Sequence, residues 1–284
     1  MKKDDAKIYY NQGVELSKQG NYHAAISAAE QAIKKNEDFA GAWNIKGFAL
    51  DKLNNYEDAI IAYAEAIRVN PDFAEGWYNK GVALYKLDDF RQAIDAYDHV
   101  IEINPDNAKA WNNKGICLGE LEEYAEAIDA YDEAIKIDST FAETWYNKGV
   151  ALGKLRKYSD AIVSYDEVIK LNPHYGQAWN NKVIAFGRLG NFEEAIEAAD
   201  QAIKIDPGYA KAWYNKSVAL SKLNNYEETI EAADQAIEID PDYAKAWSIK
   251  GEAFTALKKT KDAKECFAKA SKLDPKLVIP DLVK

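Results

Sequence analysis

Tryptophan returns at a fixed interval along this chain. Trp43, Trp77, Trp111, Trp145, Trp179, Trp213 and Trp247 are the only seven among 284 residues, and each lies 34 after the last. The text around them repeats as well: AWNIKGFAL from Ala42, GWYNKGVAL from Gly76, AWNNKGICL from Ala110 and TWYNKGVAL from Thr144. An ordinary globular core makes no contacts that recur at one period. A period of this size requires that each repeat be a structural unit burying its apolar face on its neighbours.

Counting back from Trp43 puts Tyr9 at the landmark of a first repeat. The phases then give repeats at 6–39, 40–73, 74–107, 108–141, 142–175, 176–209, 210–243 and 244–277, with a lead at 1–5 and a tail at 278–284. Composition does not shift between repeats, so the reading is one domain.

Each repeat predicts two helices and no strand. Trp43, Gly47, Leu50 and Leu53 recur at helical spacing, and Ala59, Ile60, Tyr63, Ala66 and Ile67 form a second stripe. Asn54-Asn55 separates them, and asparagine tolerates the left-handed backbone of a tight turn. Pro71 then forbids continuation of the second helix; proline recurs at this phase except at Glu37 and Ser139. Small residues mark the close approaches: Gly47, Gly81, Gly115 and Gly149 four after the landmark, and Ala59, Ala93, Ala127, Ala161 and Ala195 sixteen after it. The tryptophans are expected to be buried, each worth ~3–5 kcal/mol on truncation to alanine.

The period, W-x3-G, A-x3-Y as in Ala59–Tyr63 and Ala93–Tyr97, and the closing proline together resemble the tetratricopeptide repeat. The resemblance implies an all-α solenoid, a right-handed superhelix of antiparallel helix pairs. In such a superhelix the first helix of each pair lines a concave groove that takes extended peptides. Two phases depart from the family. Lys46, Lys80, Lys114, Lys148, Lys182, Lys216 and Lys250 stand where leucine is usual, three after the landmark. Leucine or phenylalanine replaces tyrosine seven after it. The lysines are expected to lay their stems on the apolar edge and send their amines to water. In the last repeat Lys264 and Ser271 take phases that hold isoleucine elsewhere, the pattern expected of a capping repeat.

The net charge of −11 argues against a nucleic-acid partner, which would need a basic face. No apolar run approaches a membrane span, and the N-terminus reads as lacking a secretory signal. Cys117 and Cys266, far apart, fit a reduced, cytoplasmic setting. No enzyme is expected and no cofactor or metal. His23, His99 and His174 fall at three different phases, no Cys/His spacing suggests zinc, and each glycine is accounted for by packing.

One helix face, turned away from the core stripe and expected to meet solvent, carries order that packing does not explain. Two after the landmark come Asn11, Ile45, Asn79, Asn113, Asn147, Asn181, Asn215 and Ile249. Asparagine is a mediocre helix former, so propensity does not select it. One after the landmark, Tyr10, Tyr78, Tyr146 and Tyr214 alternate with Asn44, Asn112 and Asn180. This alternation points to duplication of a 68-residue unit. Nine after the landmark the phase is mainly basic, including Lys86, Lys154, Arg188 and Lys222. A carboxylate clamp known in the family needs Lys one phase after the landmark and Asn four phases further, and those positions here hold other residues. The asparagines more closely resemble the ladder of long tetratricopeptide superhelices that hold a peptide backbone.

These residues point to a non-enzymatic scaffold binding an extended, acidic-leaning peptide or protein segment in the groove. Two alternatives stand beside it. One is weak end-to-end self-association, because Lys258–Lys276 carries net +4 against −15 elsewhere. The other is a targeting module for an enzyme on a separate chain.

Overall fold

The computed structural model describes residues 2–277. Met1 and the expected tail, 278–284, lie outside them. The described residues form sixteen helices and no strand: α1 (Lys2–Lys18), α2 (Tyr22–Lys35), α3 (Ala40–Lys52), α4 (Tyr56–Val69), α5 (Ala74–Lys86), α6 (Phe90–Ile103), α7 (Ala108–Glu120), α8 (Tyr124–Ile137), α9 (Ala142–Lys154), α10 (Tyr158–Leu171), α11 (Gly176–Leu189), α12 (Phe192–Ile205), α13 (Ala210–Lys222), α14 (Tyr226–Ile239), α15 (Ala244–Ala256) and α16 (Thr260–Leu273). They divide into two compact units, one ending at Thr144 and one beginning at Trp145. In the first unit α2 packs on α3, α4 on α5 and α6 on α7. In the second α10 packs on α11, α12 on α13 and α14 on α15.

The turn inside each pair follows from one left-handed residue eleven after the landmark. Asn54, Asp88, Glu122, Arg156, Asn224 and Lys258 have φ between 57° and 62°, and Gly20 and Gly190 serve the same phase. In the second pair Asn55 N–H reaches Leu50 C=O at 3.0 Å and Asn54 N–H reaches Asp51 C=O at 2.9 Å. This pattern closes α3 by a Schellman motif and starts α4 at once.

The tryptophans are half-buried, not the buried core residues the sequence suggests. Each indole has a polar edge to satisfy. Trp77 Nε1–H donates to Pro71 C=O at 2.9 Å, and Trp43, Trp111, Trp179, Trp213 and Trp247 make the same bond six residues back. Tryptophan thus ties the start of its helix to the loop before it.

The largest fully buried side chains, Tyr63, Tyr97, Val100 and Val168, lie in second helices. Tyr63 and Tyr97 are each 1% exposed. The Tyr63 ring lies over Gly47, where an added Cβ would fall 2.6 Å from it; Gly81 meets Tyr97 and Gly251 meets Phe267 in the same way. Where the aromatic is lost the glycine need not stay. Val183 goes with Ala199 and Ser217 with Ala233, all buried. Volume is conserved across the pair.

The family-atypical lysines join successive pairs. Lys46 reaches Glu30 at 2.8 Å, Lys114 reaches Asp98 and Lys182 reaches Asp166 at 2.5 Å, and Lys216 reaches Asp200 at 2.6 Å; Lys250 pairs with Asp234. Every partner lies sixteen residues back, on the second helix of the preceding repeat. Each of these ammoniums also sits 5.0–5.8 Å from its own tryptophan ring. Lys80, with Ala64 sixteen back, sits 5.3 Å from Trp77. The amines of Lys46, Lys114, Lys182, Lys216 and Lys250, expected to reach water, are held instead by carboxylates of the preceding pair.

Candidate functional site

The asparagine phase is built into the stacking of first helices. Asn79 Nδ2 donates to Asn44 Oδ1 at 3.1 Å and Asn215 Nδ2 to Asn180 Oδ1 at 2.8 Å. Asn113 Nδ2 donates to the Tyr78 hydroxyl at 3.1 Å and Asn181 Nδ2 to the Tyr146 hydroxyl at 3.2 Å. Each bond runs back thirty-five residues, to the residue one after the preceding landmark. The alternation of tyrosine and asparagine is therefore an alternation of acceptors. These four asparagines and Asn147 are half-buried, whereas Asn11 is exposed. Amides expected to stand free in solvent are held through Nδ2, because neighbouring first helices bring these two phases within bonding distance. The Asn113 carbonyl also accepts from Asn112 Nδ2 at 3.4 Å. The carbonyls of Asn79, Asn181 and Asn215 take no bond among the described residues. Asn147 Nδ2 is buried and has no hydrogen-bond partner among them.

The residues one after the landmark take two roles. Asn44 and Asn180 are buried, at 3% and 5% exposed, and Asn44 also donates to Glu75 at 3.0 Å. They are supports for the row. Tyr10, Tyr78, Tyr146, Tyr214 and Asn112 are half-buried. Tyr146 packs at 5.1 Å on Tyr175 and Tyr214 at 5.0 Å on Tyr243, so each ring is fixed by the last residue of its own repeat, which caps the next first helix.

The basic phase holds one paired residue and several exposed ones, Lys18 and Lys52 among them. Lys86 is committed: its ammonium lies 3.0 Å from both carboxylate oxygens of buried Asp51. Lys154, Arg188 and Lys222, all in the second unit, are exposed, and no carboxylate pairs with them among the described residues. Two clefts open on asparagines of the row. One, of about 260 Å³, includes Tyr78, Asn112, Asn113 and Glu143; the other, of about 200 Å³, includes Val150, Lys154, Asn181 and Ile184. The sequence reading missed the second cleft. Its signal was Gly153, eight after the landmark, where Asp51 and Tyr85 stand in the second and third repeats and Gly119 in the fourth.

Tetratricopeptide repeat family models match residues 10–72, 49–98, 78–140 and 181–244, and further models of the same description match 142–175 and 244–277. The chain belongs to the tetratricopeptide repeat family. Among curated proteins none matches the sequence. Among solved structures this tetratricopeptide chain is similar to YrrB, a TPR protein with an unusual peptide-binding site, at 27% identity and TM-score 0.59, over 65% of this chain and 95% of that one. It is similar to MamA from Desulfovibrio magneticus RS-1 at 25% identity and TM-score 0.56, over 59% of this chain and 95% of that one. A tetratricopeptide repeat protein from Parabacteroides merdae ATCC 43184 matches 94% of this chain and 99% of its own at TM-score 0.61. At 12% identity that match speaks for the fold alone. No helix among the described residues is long and apolar enough to cross a membrane.

Proposed function

We propose that the chain is a non-enzymatic scaffold that holds an extended peptide or protein segment along the first helices within a unit, with the asparagines of that unit taking the peptide backbone. One observation carries this reading: the amides of Asn79, Asn181 and Asn215 are each fixed by an N–H bond to the preceding repeat, while their carbonyls take no bond among the described residues. An extended peptide presents unpaired N–H groups all along its length, and a row of amide carbonyls can accept from them whatever the side chains are. Fixing the amide beforehand lowers the ordering cost of binding. The peptide-binding description of YrrB supports the same reading. Tyr146 and Tyr214 add apolar area with a polar tip.

The experiment is capture of peptides from a random display library on the full chain, repeated with Asn181→Ala/Asn215→Ala. Each neutral hydrogen bond is worth ~0.5–1.5 kcal/mol net, so the double variant should retain about a tenth of the capture or less. Equal capture by the two proteins would refute the asparagine row.

A further inference from the structure

The second unit carries a cleft whose walls and rim specify a side chain. It has a volume of about 200 Å³ and lies between α9, α10 and α11. An apolar cavity of ~150 Å³ is enough to hold a benzene ring. Val150, Ala161, Ile184 and Ala185 form its walls, Asn181 of the row stands beside it, and Lys154 lies at its edge. Ile184 is 45% exposed. A branched apolar side chain left that open on a binding face is a surface a partner can cover.

Gly153 makes the space. The residue at the same phase of α5 is Tyr85, whose ring packs on Phe90 at 5.6 Å. In the second unit the ring is absent and the place of Phe90 is taken by Tyr158, itself a lining residue. The phase therefore accepts a large side chain: α5 supplies one from within, whereas α9, like α7 with Gly119, carries none.

Basic side chains stand beside the cleft. Lys154, Arg188 and Lys222 come from three successive first helices, are exposed, and have no carboxylate partner among the described residues. In the first unit Lys86 is neutralised by Asp51 and Glu120 takes the next place, while Lys18 and Lys52 at the same phase are exposed.

Resting on the peptide-scaffold reading above, we infer that the second unit selects an extended segment in which one large apolar side chain, seated between Val150 and Ile184, is flanked by carboxylates facing Lys154 and Arg188. The apolar side chain supplies the buried area, and the carboxylates supply orientation and faster association, weakened by salt.

The test pans a random dodecapeptide library displayed on phage against the full chain at low salt. The wild type is compared with Gly153→Tyr, Ile184→Gln, Lys154→Gln/Arg188→Gln and the asparagine double variant. Gly153→Tyr restores the ring that α5 already carries, and Ile184→Gln alters an exposed wall, so two independent variants probe the cleft in a folded chain. Enriched peptides should place a large apolar residue next to Asp or Glu. Their capture should fall about tenfold or more with each cleft variant and with the charge variant. Enriched peptides lacking that pattern, or captured equally by Gly153→Tyr and Ile184→Gln, overturn the inference. If those same peptides are lost with the asparagine variant, the backbone row survives and the cleft alone falls. If no peptide is enriched over bare support, both fall.

Discussion

The side-chain amide of Asn181 donates to the hydroxyl of Tyr146 at 3.2 Å, across the interface between two successive first helices. The bond makes the asparagine a stacking residue before it is a binding one. Removing it should lower stability by ~0.5–1.5 kcal/mol. In denaturant unfolding, Asn181→Ala and Tyr146→Phe should each show a loss of this size, and the double variant should lose less than the sum. Strict additivity would mean that the two groups do not interact.

The contact of Gly47 with Tyr63 predicts a strong coupling. The Cβ of Gly47→Ala would fall 2.6 Å from a ring that is 1% exposed, so the ring or helix must move. The expected cost is ~1–3 kcal/mol. Tyr63→Ala alone should cost ~3–5 kcal/mol through the cavity it leaves. Gly47→Val/Tyr63→Ala reproduces the Val183 and Ala199 arrangement and should be more stable than Tyr63→Ala. Thermal melts of the three variants decide this, and a double variant below both singles would contradict it.

Glu122 and Arg156 hold the left-handed turn position at φ 61° and 60° with side chains that disfavour it. Gly190 occupies the same phase of another repeat at φ 83°. Glu122→Gly and Arg156→Gly should therefore raise stability by ~0.5–1 kcal/mol, after allowing for the greater freedom of glycine in the unfolded chain. A drop in melting temperature would contradict the turn assignment.

Burial pushes the Cys117 thiol up from 9.0 to about 12, and it raises the Tyr63, Tyr97 and Tyr165 hydroxyls above their ordinary 10.0. The folded state holds these protons more tightly than the unfolded one. Their contribution is complete below the unfolded values and is lost as pH rises through them toward the folded ones. The melting temperature should hold near pH 8 and fall progressively above about pH 9. At pH 8 Cys117 should react with a thiol reagent only as fast as the chain opens. A flat melting profile to pH 11, or immediate labelling, would contradict the burial.

Much of the fold was legible because each determinant lies within one period. Trp43, Gly47, Asn54, Ala59 and Tyr63 fix a helix, a turn and a helix by local spacing, and the second repeat folds as they require. Relations between periods were less legible. Lysine at 182 and aspartate at 166 are both visible as columns of the repeat, but that they meet depends on which helix faces which. The acceptors of the asparagine row were hidden for the same reason. Thirty-five residues is one period plus one, and only stacking brings Asn215 to Asn180. The half-burial of the tryptophans was missed because the indole N–H must bond the loop before its helix, and hydrophobicity alone does not register that demand.

The central claim is that the asparagine row accepts a peptide backbone. Its most direct measurement is the affinity of the full chain for library-selected peptides, each compared with a copy N-methylated at single backbone positions. A row of amide carbonyls needs the peptide N–H, so methylation at the positions facing Asn181 and Asn215 should weaken binding about tenfold. Asn181→Ala/Asn215→Ala should lose affinity for the parent peptide and show no further loss on methylation there. If N-methylated and parent peptides bind wild type equally at every position, the carbonyl row does not hold the backbone and the account is wrong.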